Sequence, residues 1–255
     1  MNFASSVFSH QLVAHERNFP ATFAHVCEKP YGKLFYDANN PYSYDSNHGI
    51  LLKLDTDLET ALDDLIMFYR LRNLVPRIYP SYQEREKEIL SPVLKQRGFE
   101  TKTLDAQIYI RTNPSVISTK TRLQVKRIKA MDAQIREIIR TDDGGDWNLK
   151  IMECLLRLDS YHLLVGYDKG EPVCLATLTF MDNLSRLDDV VTELGNRAKG
   201  YGRALIKAVL DYHDQVAPGN YLYLWSSSPT AIKIYREAGF EVFDKLEPWE
   251  AWLDF

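Results

Sequence analysis

The chain has 255 residues, 45% of them apolar, which suffices for one large domain or two ordinary ones and excludes overall disorder. Its 31 basic and 35 acidic side chains give a formal charge of −4 spread over both halves, a balance that argues against a nucleic-acid partner. Three widely spaced cysteines (Cys27, Cys154 and Cys174), with no C-x-x-C pair, read as buried thiols of a reducing compartment. With no signal-like N-terminus and no long apolar run, a cytoplasmic protein without a membrane partner is expected.

In chain order, the first 50 residues are rich in aromatics and turn formers, and "FYDANNPYSYDSN" reads as a long loop into a strand from about Gly49 to Leu54. Asp57 is placed to cap a helix whose one face repeats Leu58, Ala61, Leu62, Leu65, Phe68 and Tyr69. A strand at "VPRIYP", a helix from Tyr82 to Gln96 closed by Gly98 as a left-handed cap, and a strand over "TLDAQIYIR" follow. Pro114 and the polar "SVISTK" mark a boundary at 112–119, dividing the chain into 1–118 and 119–255.

Beyond it, "RLQVKRI" alternates as a strand, "MDAQIREII" has helical spacing, "TDDGGDW" breaks the pattern, and a second helix runs from Asn148 to Leu158. A hairpin joins "YHLLVGY" to "PVCLATLTFM" through "DKGE". The strand "RLDDVVTEL" leads through "GNRAKGYG" into a helix with Ala204, Leu205, Ala208, Val209 and Tyr212 on one stripe. The strand "YLYLWS", the helix of "SPTAIKIYREAG" and two closing strands, "FEVF" and "EAWLDF", complete this part. The predicted class is α+β, with a mixed, mainly antiparallel sheet flanked by helices.

The segment "TELGNRAKGYG" carries the strongest chemical signal. Gly195, Gly200 and Gly202 allow close backbone approach, the N–H groups opening the next helix favour an anion, and Arg197, Lys199 and Arg203 add positive potential. Neither G-x-x-x-x-G-K-[ST] nor G-x-G-x-x-G is present, so the common nucleotide fingerprints are excluded. Taken alone, the turn fits either a phosphate cradle or a tight helix start.

With "SPTAIKIYREAGFEVF" one strand later, "VVTELGNRAKGYGRALI" resembles the GCN5-related N-acetyltransferases. The pattern [QR]-x-x-G-x-[GA] is met by Arg197, Gly200 and Gly202, and A-x-x-x-Y-x-x-x-G-F by Ala231, Tyr235, Gly239 and Phe240. The resemblance covers about 120–255. It implies acetyl-CoA as cosubstrate, CoA as product and no metal. It places the pyrophosphate on Arg197, Ala198, Lys199, Gly200, Tyr201, Gly202 and Arg203. The strand from Asp189 through Val190 and Val191 to Thr192 would run along the pantetheine, with Ser228 and Ala231 nearby and Tyr235 giving a proton to the leaving sulfur. A backbone N–H near Val190 or Val191 would stabilise the developing oxyanion. Ser228 stands where many members carry asparagine and, preceding Pro229, equally suits a helix N-cap. "V-T-E" replaces the commoner V-x-P.

For the base, Asp188, Asp189 and Glu193 remain alternatives, the two aspartates facing opposite ways in a regular strand. The resemblance implies a primary amine of a small molecule or peptide as acceptor, and a monomer or homodimer is expected. By the same resemblance 1–118 looks like the degenerate half of a tandem member, "RGFE" echoing "AGFE", with a duplicated fold, and closes one side of the acceptor groove. Phe35, Tyr36, Tyr42 and Tyr44, with Asp37 or Asp45, form either a wall for a cationic amine or a loop packed on its own domain. The alternatives to acetyl transfer are another acyl-CoA and an inactive CoA-binding sensor. His10 and His15 have no partner acid or cysteine at ligand spacing, His162 begins a strand, and His213 reads as a cation at a helix C-terminus.

Overall fold

The computed structural model describes residues 6–243 and 246–254. The first unit opens with α1 (Ser6–Asn18) and a 3-10 turn (Phe19–Thr22), then the hairpin β1 (His25–Lys29) and β2 (Gly32–Tyr36), and β3 (His48–Leu51). The helix and hairpin fall in a stretch to which the sequence reading assigns no element. The reason is weak local signal: α1 lacks acidic residues in its first turn and buries Phe8 and Leu12 among polar neighbours, so tertiary packing defines it. The segment 37–47 is a loop, tied by Asn47, whose Nδ2 donates to the carbonyls of Asn40 (2.9 Å) and Ser43 (2.8 Å).

Then come α2 (Leu58–Arg70), β4 (Arg77–Ile78), α3 (Glu86–Gln96) and β5 (Glu100–Thr103). Asp57 caps α2 as its position predicts, accepting from Thr60 N at 3.1 Å, and α2 buries Ala61, Leu62, Leu65, Phe68 and Tyr69. The helix expected from Tyr82 begins later, at Glu86, because Tyr82 and Arg85 both take left-handed backbone (φ 57°).

The second unit contains β6 (Gln107–Arg111), β7 (Gln124–Ile128), α4 (Ala133–Ile139), a wide turn over Arg140–Gly144, and α5 (Gly145–Leu155). Within that turn Asp142 leaves helical geometry (φ −74°, ψ −124°), the break that "TDDGGDW" predicts. Next are β8 (Tyr161–Asp168), β9 (Glu171–Phe180), β10 (Leu184–Thr192), a 3-10 turn (Leu194–Asn196), α6 (Tyr201–Val216), β11 (Tyr221–Ser226), α7 (Pro229–Glu237) and β12 (Phe240–Phe243). β13 (Trp249–Trp252) closes the described chain; Phe255, at the end of the predicted "EAWLDF" strand, lies outside the described residues.

Two sheets result, ordered β1-β2-β3-β4-β13-β5 and β12-β6-β11-β10-β9-β8-β7, in a mixed α+β fold with mainly antiparallel pairing. Each holds one parallel step, β3 with β4 and β10 with β11. The compact units are 1–105 with 246–255, and 106–245, so the boundary differs from the expected 112–119. β6 completes the second sheet between β11 and β12, and β13, expected as a closing strand of the second part, completes the first between β4 and β5. Strand placement follows burial on both sides: β6 buries Ile108, Tyr109 and Ile110, and β13 buries Trp249 and Ala251.

In the second unit, Leu164, Cys174, Ala176, Leu178 and Leu187 of the sheet join Leu205, Ile206, Val209 and Leu210 of α6 in one core. Burial pushes the Cys174 thiol up to about 12, whereas Cys27 and Cys154 are only half-buried. His213 is also a core residue, and burial lowers its pKa, so the expected helix-end cation is a neutral imidazole at neutral pH. Among the described residues no helix is long and apolar enough to cross a membrane.

Candidate functional site

The glycine turn forms one end of a cavity of about 800 Å³ in the second unit. Arg197 leaves the 3-10 turn in extended backbone, Ala198 is left-handed (φ 62°), and Gly200 at φ 84° starts α6. A Cβ on Gly200 would stand 2.6 Å from Thr121 Oγ1, so this position admits no side chain. No side chain caps the helix, and the first carbonyl taken up is Gly200 O, by Ala204 N at 3.1 Å. The N–H groups of Tyr201, Gly202 and Arg203 therefore stay outside the helical ladder, and all three residues line the cavity. At Gly202 a Cβ would meet only Thr192 Oγ1, at 3.4 Å. Arg197 reaches across the mouth, Nη2 donating to Asp142 Oδ1 at 2.9 Å and Nε to Thr192 O at 3.1 Å. Arg203 pairs with Glu237.

The middle of the cavity is a gap between two parallel strands. β10 and β11 pair at Leu184, Ser185 and Arg186 and then separate, while β11 stays paired with β6 to Ser226. The cause is a bulge in β10: Asp188 pairs with Thr177 and Val191 with Leu175, so Asp189 and Val190 together oppose Ala176. Asp189 sits in the left-handed region (φ 49°), which overturns the expectation that Asp188 and Asp189 face opposite ways. Both carboxylates lie on the Thr177 face. Asp189 Oδ2 accepts from Thr177 Oγ1 at 3.0 Å and Oδ1 from Asn148 Nδ2 at 3.1 Å, whereas Asp188 is bonded by Arg186 Nε. Burial, then the Asp188 charge, pushes the Asp189 carboxyl up to about 6.

The far wall is α7. Ser228 caps it, its hydroxyl accepting from Ala231 N at 3.3 Å, with Pro229 in the first turn. One turn apart on the cavity side lie Ala231 and Tyr235, and the Tyr235 ring packs edge-on to Phe240. Burial, then the charge of Asp188, holds the Tyr235 phenol above its ordinary range, so it is a neutral hydroxyl at physiological pH. Gly239 ends the helix at φ 91°; a Cβ there would be 2.1 Å from Asn113 O.

Asp188, Asp189, Val190, Val191, Thr192, Arg197, Ala198, Gly200, Tyr201, Gly202, Arg203, Ser228, Ala231 and Tyr235 all line this cavity. Two sequence-derived candidates do not. Lys199 turns to Asn196 Oδ1 (2.8 Å), and Glu193 is held by Asn196 and lines a separate cavity of about 430 Å³ with Gln134, Glu137 and Glu171. Sequence reading missed Asp142, Asn196, Trp225, Ser226 and Ile234. Trp225 and Ser226 were findable, since they end a parallel strand, where ligands of α/β sheets gather. Asp142 carried only a turn signal.

Residues 148–255 match the family model of the acetyltransferase (GNAT) domain. A GCN5-related N-acetyltransferase from Kribbella flavida superposes with a TM-score of 0.68 at 13% identity, over 95% of this chain and 94% of that one. A functionally unknown conserved protein from Staphylococcus epidermidis ATCC 12228 gives 0.62 at 14%, over 90% and 93%. A GCN5-related N-acetyltransferase from Sphaerobacter thermophilus gives 0.55 at 12%, over 87% and 79%. No curated protein sequence matches the chain. The structural likenesses establish the fold, that of the GNAT acetyltransferases, here with two sheets.

Proposed function

We propose that the second unit transfers an acetyl group from acetyl-CoA to a primary amine, by direct attack with both substrates bound. One observation carries this reading: a single cavity joins an open helix N-terminus ringed by Arg197 and Arg203 to a strand bulge bearing two carboxylates opposite a neutral phenol. The residues fit the cofactor. The uncapped N–H groups of Tyr201, Gly202 and Arg203 are donors for a pyrophosphate, and the side-chain-free Gly202 leaves its approach open. Bound acetyl-CoA supplies the acyl group as an activated thioester.

The chain's own groups then divide the work. From Leu187 to Thr192 the edge of β10 facing β11 is unpaired and offers backbone donors and acceptors along the gap. Val190, in the bulge, presents an N–H for negative charge developing on the thioester oxygen, an interaction that strengthens as the charge grows. A carboxylate of the bulge accepts the proton of the attacking amine, and the Tyr235 hydroxyl donates to the departing sulfur. No cysteine nucleophile is needed; Cys174 faces the core and its thiol is held protonated.

The test is calorimetry with acetyl-CoA and CoA, followed by thiol release from acetyl-CoA across a panel of ethanolamine, spermidine, free lysine and N-terminal peptide amines. Micromolar binding with amine-dependent thiol release is expected. Turnover only with a longer acyl-CoA reassigns the donor, and binding with no turnover for any ester or amine rejects the enzyme in favour of a CoA sensor.

A further inference from the structure

We propose that Asn148 and Thr177 are positioning residues that clamp the Asp189 carboxylate onto the acceptor side of the bulge, making Asp189, rather than Asp188 or Glu193, the proton acceptor. The inference rests on the acyl-transfer reading of the cavity.

The geometry separates the three carboxylates. Glu193 is bonded by Asn196 and lines the other cavity. Asp188 is neutralised by Arg186. Asp189 alone is held by two neutral donors, one on each oxygen, from two different elements. A regular strand would send its side chain to the face opposite Asp188, and the left-handed φ that brings it back is strained for an aspartate. Something must hold it there. Thr177 donates from β9 and Asn148 from the first turn of α5, directly after the 140–144 break.

The chemistry of the donors matters as much as their number. An arginine or lysine would fix the carboxylate equally well but would stabilise its charge and weaken it as a base, as Arg186 does for Asp188. An amide and a hydroxyl fix direction at smaller cost in basicity, which leaves burial dominant. The titratable and charged groups facing Asp189 are Asp188 and Arg186 of its own strand and Tyr161 of β8. Tyr161 is 3% exposed, its hydroxyl lies against Thr177 and Asp189, and burial, then the Asp189 charge, keeps it protonated.

The experiment follows the Asp189 carboxyl directly, by pH titration of ¹³C-carboxyl-labelled aspartate, the resonance assigned by its loss in Asp189→Asn. Asn148→Ala and Thr177→Val should each move the midpoint upward by roughly 0.5–1 pH unit, because each removes a bond to the charged form. Thr177→Ser, which keeps the hydroxyl, should titrate as the wild type does. The acid limb of kcat/KM for thiol release with the best amine of the panel should move upward in step. Midpoints unmoved in both Asn148→Ala and Thr177→Val, or moved equally by Thr177→Ser and Thr177→Val, would overturn the clamp. So would a uniform rate loss with the acid limb in place. If the protein turns over no amine, the acyl-transfer reading fails, and the carboxyl titration still decides whether these residues hold Asp189.

Discussion

The two sheets repeat one plan. In each, an antiparallel run meets one parallel step, the step is followed by a strand remote from it in sequence (β13 in one, β6 in the other), and a helix ending in left-handed glycine leads to the last strand: α3, Gly98 (φ 80°) and β5 in one, α7, Gly239 (φ 91°) and β12 in the other. At equivalent points the residues differ in the properties that matter for an anionic cofactor. After β3, the N-terminus of α2 is closed by Asp57, which accepts from Thr60 N, with Glu59 in the first turn. After β10, the N-terminus of α6 has glycine, no acid and no cap. The same helix dipole is capped by the chain's own side chain in one unit and left uncapped in the other. Likewise, four residues before the terminal glycine stands Leu94 in the first unit and Tyr235 in the second, both buried. Topology supplies the scaffold; a handful of positions at helix ends decide whether it can hold a phosphate. This contrast supports cofactor binding by the second unit alone.

The largest effect that probes this contrast is Tyr235→Phe, which gives the second unit an apolar residue where the first has Leu94. Turnover at saturating acetyl-CoA should fall on the order of 10²–10⁴-fold with CoA affinity kept, since the ring packing survives and only the donor is lost. Near-normal turnover would remove the acid role. Gly200→Val comes next. With its φ of 84° and Thr121 Oγ1 2.6 Å from the new Cβ, it must displace the turn. Losing one charge-assisted bond, ~1.5–3 kcal/mol, weakens CoA binding on the order of 10–100-fold in calorimetry. Unchanged affinity in the folded variant would sink the cradle.

Asp189→Asn tests the electrostatic side, and its sign is opposite to that of a paired carboxylate. With the native pKa raised to about 6, the folded state keeps a proton that the unfolded chain releases, so stability falls as pH rises from the ordinary aspartate range through 6. The amide removes that penalty: unfolding at pH 7–8 should show a gain on the order of 1–2 kcal/mol that vanishes near pH 4, alongside lost turnover. A loss of stability at pH 7 would refute the buried-charge assignment. Asp57→Ala, in the first unit, should cost about 1 kcal/mol through its lost cap and leave CoA affinity unchanged. Any loss of CoA affinity would break the division between units. Lys199→Ala is the smallest, with CoA affinity within a few-fold, because its ammonium is held by Asn196 Oδ1 and Lys199 itself does not line the cavity.

Local chemistry was legible in the sequence wherever a residue acts on its own neighbours. Asp57 and Ser228 as caps, Gly98 as a left-handed helix end, the "DKGE" hairpin and the glycine turn at 197–203 all need only the backbone within a few positions, so their spacing in the chain sufficed. Features set by non-local partners were illegible. Nothing in "QIYIR" or "WEAW" says which sheet has a vacant edge, so β6 and β13 could be placed only by the strands that flank them. α1 is helical because of what it packs on. The bulge at Asp189 is the sharpest case: strict alternation separates Asp188 from Asp189, and only the register of β9, with Thr177 and Asn148 waiting on one face, brings the two carboxylates together. Alternation is a property of one strand, whereas a bulge is a mismatch between two, and a mismatch exists only once both strands are folded against each other.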